Sequence, residues 1–77
     1  MLIEIESVYG DKIIHGHHLD REELQSAVND ILQTVSERDF LSAFCARYKY
    51  TELPQPDTIP VDYIFDLDTH SLTKPIY

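Results

Sequence analysis

Histidine and glutamate side chains near the N-terminus have types and a spacing that could do chemistry. His15 and His17 are two residues apart, so they share one face of a β-strand. A hairpin turn at Gly10-Asp11 would place Glu6 and Glu4 opposite them, and four such side chains could bind zinc or a similar ion. Two successive Glu–His pairs spread the ligands along the strand, so we interpret them as cross-strand partners whose carboxylates favour protonated, pH-sensitive histidines.

A second acidic pair, Asp66 and Asp68, follows an apolar run. The segment 63–69 resembles the first motif of haloacid-dehalogenase-type phosphatases, an apolar strand that ends in Asp-x-Asp. In that family the first Asp attacks phosphorus, and the second acts as acid or base beside a magnesium ion. Here Thr69 stands where the family has Gly, and nine residues after Asp68 leave no room for the later motifs. We therefore interpret the pair as acidic outer positions of a strand.

The remaining candidates for chemistry lie between Phe44 and Tyr50. Cys45 is the one cysteine, which excludes an intramolecular disulfide, and its apolar neighbours are typical of a small buried hydrophobe. The basic fragment 46–50 (Ala-Arg-Tyr-Lys-Tyr) is too short to bind nucleic acid against a net charge of −8. We interpret it as a helix end, or as a contact with an acidic partner or a second copy of the chain.

These side chains are positioned by a helical region in the middle of the chain. Asp20 and Glu23 have the spacing of a capping box, and a helix is predicted from there to about residue 36. Apolar residues recur at steps of three and four along it: Leu24, Ala27, Val28, Ile31, Leu32 and Val35. A further helical stripe runs from Phe40 to Tyr48, so residues 20–48 form one kinked helix or two consecutive helices.

Alternating apolar residues predict three strands. Residues 2–9 and 12–19 form a hairpin, and residues 61–68 form the third strand. Residues 51–60 contain three prolines and predict a loop, and residues 69–74 predict a turn. The inward positions of the third strand are Val61, Tyr63, Phe65 and Leu67.

Together these elements predict a single α+β domain over residues 1–77. An N-terminal hairpin, one long or two consecutive helices and a third strand are arranged with the helices packed on one face of a small, mainly antiparallel sheet. The other face of the sheet is the candidate interaction surface. Its predicted members are Glu4, Glu6, Val8, Ile13, His15, His17, Asp62, Ile64, Asp66 and Asp68.

The charge balance limits the function classes. Fourteen Asp and Glu against six Lys and Arg disfavour binding to nucleic acid or anionic lipid. The N-terminus lacks a signal-peptide pattern and no apolar stretch approaches the ~20 residues of a membrane span, so we expect a cytoplasmic protein. We predict a non-enzymatic interaction module without a cofactor, whose partner is a basic protein or a second copy of the chain. The alternatives are an acidic nucleic-acid mimic that inhibits a basic protein, and a metal-binding or hydrolytic enzyme that uses the His/Glu face or Asp66 and Asp68.

Two segments, 3–12 and 61–77, carry a resemblance to known proteins. Ile-Glu-Ile-Glu-Ser-Val-Tyr-Gly-Asp-Lys and the C-terminal stretch from Val-Asp-Tyr to Lys-Pro-Ile-Tyr resemble small bacterial or prophage-encoded open reading frames. The resemblance implies a host-interacting accessory protein and supplies no site residues.

Overall fold

The computed structural model describes residues 1–16, 19–54 and 60–75, and within them the chain forms a five-stranded sheet and two α-helices. This confirms the predicted α+β class, with two more strands than predicted. The elements in chain order are β1 (Leu2–Glu6), β2 (Lys12–His15), α1 (Arg21–Thr34), a 3-10 turn (Glu37–Asp39), α2 (Phe40–Tyr48), β3 (Thr51–Glu52), β4 (Tyr63–Asp66) and β5 (Ser71–Thr73).

The sheet has the strand order β3-β2-β1-β4-β5. β1 and β4 pair in parallel, whereas the β1–β2, β2–β3 and β4–β5 pairs are antiparallel. β1 therefore lies at the centre, with β2 and β3 on one side and the C-terminal hairpin of β4 and β5 on the other. Helix-side residues from β1, β2, β4 and β5 join the helices in one hydrophobic core.

The register of the N-terminal hairpin differs from the prediction. His15 pairs with Leu2 and not with Glu6, because the strands are connected by residues 7–11 and not by a two-residue turn at Gly10-Asp11. The shift moves the partner of His15 by four residues, an even number. Side chains alternate between the faces of a strand, so an even shift leaves the residues of β1 and β2 on their predicted faces.

The connection between β1 and β2 is held by its own hydrogen bonds. The Ser7 hydroxyl donates to the carbonyl of Gly10 (3.2 Å) and accepts the N–H of Tyr9 (3.1 Å). The N–H of Gly10 in turn donates to the carbonyl of Ser7 at 3.1 Å. Gly10 has φ +105°, a conformation that side chains disfavour, so glycine suits this position.

α1 begins as the sequence predicts, since the Asp20 side chain accepts the N–H of Glu23 at 2.8 Å. Its buried residues are Leu24, Ala27, Val28 and Ile31. The helix ends at Thr34, and extended backbone at Val35 and Ser36 leads into the 3-10 turn, so the region contains two helices and not one kinked helix. Neither of the helices in the described ranges is long and apolar enough to cross a membrane.

Aromatic side chains join α2 to the sheet. The rings of Phe40 and Phe65 have centroids 5.6 Å apart, and Phe44 lies 5.6 Å from Phe40 and 5.2 Å from Tyr50. Such tilted pairs add about 0.5–1.5 kcal/mol each beyond area burial. Phe65 comes from β4, so this cluster fixes α2 against the sheet.

Two short edge strands replace predicted loops. Thr51–Glu52 pairs with β2, although residues 51–60 were predicted to be a loop. Ser71–Thr73 pairs with β4 within the predicted turn 69–74, and it adds Leu72 to the core. β4 is shorter than the predicted strand 61–68, but the predicted inward residues Val61, Phe65 and Leu67 are buried.

Candidate functional site

The helix-free side of the sheet brings together a compact set of the predicted surface residues. In the parallel pairing of β1 and β4, Glu4 lies beside Ile64 and Glu6 lies beside Asp66. Each of these side chains is partly exposed. We call these four residues, Glu4, Glu6, Ile64 and Asp66, the acidic face.

The carboxylates of the acidic face lie close enough to repel one another. The pKa of Glu6 is raised by partial burial and then by the negative charges of Glu4, Asp11 and Asp66. A hydrogen bond with the Glu4 side chain raises it further. The two ion pairs within the described ranges, Lys12–Glu52 and His70–Glu37, involve no residue of this face. The negative charge here is therefore not neutralised by a cation in that part of the chain.

Three aspartates predicted on this surface accept backbone hydrogen bonds. Asp62 Oδ2 accepts the N–H of Leu2 at 2.9 Å, and Asp68 Oδ1 accepts the N–H of Val8 at 3.4 Å. Asp66 Oδ1 accepts the N–H groups of Asp68 (2.9 Å) and Thr69 (3.3 Å). The Asp-x-Asp pair that resembles a phosphatase motif thus organises the turn that follows β4.

Two apolar members of the predicted surface lie elsewhere or are inaccessible. Val8 was predicted on a strand but lies in the 7–11 connection, where it is 76% exposed. Ile13 lies opposite Glu4 on the helix-free side, yet it is only 2% exposed. Ile13 therefore offers no surface to a partner, and Ile64 is the apolar residue of the acidic face.

The predicted Glu–His pairing is wrong for the described residues, where Glu4 lies opposite Ile13. His15 is exposed and lies opposite Leu2, while Glu6 lies beside Asp66. His17 lies outside the described residues. Among the residues described, no group of three or more His, Cys, Asp and Glu side chains is placed to hold a metal ion.

Cys45 is a partly buried residue of α2. Burial raises the pKa of its thiol, and the negative charge of Glu52 raises it further. Because the thiolate is the nucleophilic form, these surroundings make the residue less reactive than a free cysteine.

A small cleft lies on the helix-covered side, between the 7–11 connection and the start of α2, and sequence reasoning missed it. Its volume is about 170 Å³. We call it the turn cleft. Its lining includes Ile5, Lys12, Glu37, Arg38, Leu41, Ser42 and Leu67. They come from four separated segments, so neither strand alternation nor helix periodicity could have indicated the cleft.

Comparison with known proteins assigns this chain to no family. No protein-family model, curated protein or solved structure matches the chain. The resemblance to prophage-encoded proteins stays a prediction, and a functional proposal depends on the surfaces themselves.

Proposed function

We propose that this chain is a non-enzymatic interaction module that binds a basic segment of another protein through the acidic face. The observation that carries the proposal is the group of mutually repelling carboxylates at Glu4, Glu6 and Asp66, away from both ion pairs of the described ranges. Lysine or arginine side chains of a partner would relieve this repulsion, and complementary charge also speeds the encounter.

The arrangement of the acidic face suits contact with a protein side chain. Ile64 is a partly exposed apolar residue beside Glu4, so a long basic side chain could lay its methylene stem on it and keep the charged group at the carboxylates. We propose that the chain is a prophage-type accessory protein and that it binds its partner in the cytoplasm.

The non-enzymatic part of the proposal is supported by how the candidate catalytic groups are used. Asp66 and Asp68 accept backbone N–H groups, and the thiol of Cys45 has a raised pKa. Each of these groups has a structural role or surroundings that reduce its reactivity.

A second copy of the chain stays a predicted partner. β5 is an edge strand, and unpaired edges are a common route to association. However, Arg21 Nη2 donates to the carbonyl of Leu72 at 3.3 Å and so occupies part of that edge. We therefore favour a basic partner, and sedimentation of a concentrated sample as a monomer would support that choice.

The experiment is a titration of the ¹⁵N-labelled chain with a lysine- and arginine-rich peptide of about ten residues in 0.15 M salt, where charges interact over ~8 Å. Amide shifts are expected along β1 and β4. The double variant Glu4→Gln/Glu6→Gln should weaken binding by about three- to tenfold, because exposed ion pairs contribute roughly 0.2–1 kcal/mol each. The matched control, Glu22→Gln/Asp30→Asn, removes the same charge from exposed positions of α1.

The control decides between a local surface and bulk charge. Equal weakening by both double variants would show that the peptide responds only to net charge, and the proposal would fail. Amide shifts concentrated on α1 would also contradict it. Retained amide spectra of both variants check that neither has lost its fold.

A further inference from the structure

The turn cleft has an apolar floor and a cationic rim. Ile5 and Leu67 are buried residues of the floor, and Leu41 is partly buried beside them. Lys12 comes from the start of β2 and Arg38 from the 3-10 turn. A site of this composition accepts an apolar group that carries a negative charge at one end.

The volume of the cleft sets the size of the occupant. Cavities of about 150 Å³ hold a benzene ring, whereas sites for drug-sized ligands have roughly 300–1,000 Å³. At about 170 Å³ the turn cleft has room for one ring-sized group and not for a nucleotide or an organic cofactor.

Arg38 is a positively charged residue of the cleft that remains available to bind an anion. Within the described ranges it has no ion-pair partner, whereas Lys12 Nζ is shared with Glu52 Oε1 at 3.4 Å. The acidic residue that lines the cleft, Glu37, has Oε1 3.2 Å from His70 Nε2, a contact that is an ion pair only when His70 is protonated. Arg38 is therefore the charged group of the cleft that is available to pair with an anionic ligand, although the whole chain is acidic.

We propose that the turn cleft binds a small organic carboxylate with a ring-sized apolar body. The ring lies on Ile5, Leu41 and Leu67, and the carboxylate lies at the guanidinium of Arg38. The hydroxyl of Ser42, on the exposed wall formed by α2, is available as a further donor.

The walls of the cleft are held before any ligand arrives. One wall is the 7–11 connection with its Ser7–Gly10 hydrogen bonds, and the other begins at Phe40, which is fully buried. The floor is tied to β1 because the N–H of Leu67 donates to the carbonyl of Glu6 at 2.8 Å. A preformed site needs little ordering on binding, which favours even a small ligand.

Phenylacetate is the probe that tests this site, with 2-phenylethanol as its neutral analogue and phenethylamine as its cationic one. Titrations of the ¹⁵N-labelled chain should give saturable shifts at Ile5, Gly10, Leu41 and Ser42 with phenylacetate, at a Kd in the millimolar range expected for about ten heavy atoms. The neutral analogue should bind two- to fivefold more weakly, the range for one exposed ion pair. The cationic analogue should be the weakest, although a net charge of −8 attracts cations overall.

Two pairs of variants separate the site from general effects. Arg38→Gln should weaken phenylacetate binding by about two- to fivefold, whereas Arg47→Gln, an exposed arginine of α2 outside the cleft, should not change it. Ser42→Met should fill the cleft and abolish the shifts. Ser26→Met, at an exposed position of α1, should leave the shifts unchanged.

Several results would overturn the proposal. They are the absence of saturable shifts at 20 mM (about three times the Kd of ~6 mM expected at ~0.3 kcal/mol per heavy atom), equal binding of the cationic analogue, and equal effects of the two arginine variants. Shifts that persist in Ser42→Met would place the ligand elsewhere.

Discussion

Replacing Gly16 with alanine tests how closely the chain packs at the end of β2. A Cβ atom on Gly16 would lie 2.6 Å, 2.7 Å and 2.9 Å from Cγ, Cδ1 and Cδ2 of Tyr50. Carbon atoms pack at about 3.5–4.0 Å, so the ring or the strand must move by roughly 1 Å. Tyr50 is only 4% exposed and its ring contacts Phe44, so the displacement reaches the core.

We expect Gly16→Ala to lower the free energy of unfolding by about 1–3 kcal/mol, the range for overpacked cores. In a domain of this size each kcal/mol lowers Tm by roughly 4–8 °C. The sign is informative, because Gly→Ala at a position with ordinary backbone angles stabilises a protein by about 0.4–1 kcal/mol. Gly16 has no positive φ, so the opposition to the substitution comes from the close contact with the ring of Tyr50 and not from the backbone angle.

Urea unfolding followed by far-ultraviolet circular dichroism measures the effect, and a double-mutant cycle with Tyr50→Leu assigns it. In the Tyr50→Leu background, Gly16→Ala should be neutral or stabilising. Gly10→Ala is the matched control: nothing lies within 4 Å of its Cβ, but φ is +105°, so it should destabilise whether or not Tyr50 is present. A stability gain from Gly16→Ala in the otherwise unchanged protein would refute the packing of Tyr50 on Gly16.

Three further predictions concern single side chains. The pKa of Glu6 is raised in the fold, so its ionised form destabilises the fold at a pH above that pKa. Glu6→Gln should therefore raise the free energy of unfolding, measured with urea at pH 7, by a few tenths of a kcal/mol. This gain should vanish as the pH falls towards 4.5 or as salt is added. Burial, and then the charge of Asp62, raises the pKa of Tyr50 to about 12. Ultraviolet titration should therefore show one tyrosine that ionises at a higher pH than the others, and Tyr50→Phe should remove it. The free energy of unfolding should fall as the pH rises from about 10 towards 12. Asp20→Ala should lower the free energy of unfolding by about 1 kcal/mol through loss of the α1 cap, and an unchanged urea midpoint would contradict it.

The faces of the strands could be predicted from the sequence, but their pairing could not. Alternation put Ile3 and Ile5 on the core side, and the structure confirms both as buried. The register depended on the loop length, and the hydrogen bonds of Ser7 make a longer connection than Gly10-Asp11 alone. β3 has two residues and β5 has three, so neither has enough alternation to be recognised; their pairing is imposed by neighbouring strands.

The candidate site, like the fold, could be predicted from the sequence only in part. Strand alternation placed Glu4, Glu6, Ile64 and Asp66 on one side correctly, because that depends only on local periodicity. The burial of Ile13 could not be predicted, since it depends on contacts distant in sequence. The turn cleft could not be predicted for the same reason, because its walls come together only in the folded chain.

The acidic face and the turn cleft lie on opposite sides of β1, which makes the two proposals separable. Ile5 lines the cleft, while its neighbours Glu4 and Glu6 point the other way. Glu4→Gln/Glu6→Gln therefore removes no contact with phenylacetate and only reduces a repulsion that acts through the sheet. At 0.15 M salt, where screening acts over ~8 Å, we expect this variant to raise phenylacetate affinity by less than about twofold while it weakens the basic peptide. A loss of phenylacetate binding in this variant would mean that the two surfaces are one site, and the separate assignment of the turn cleft would be wrong.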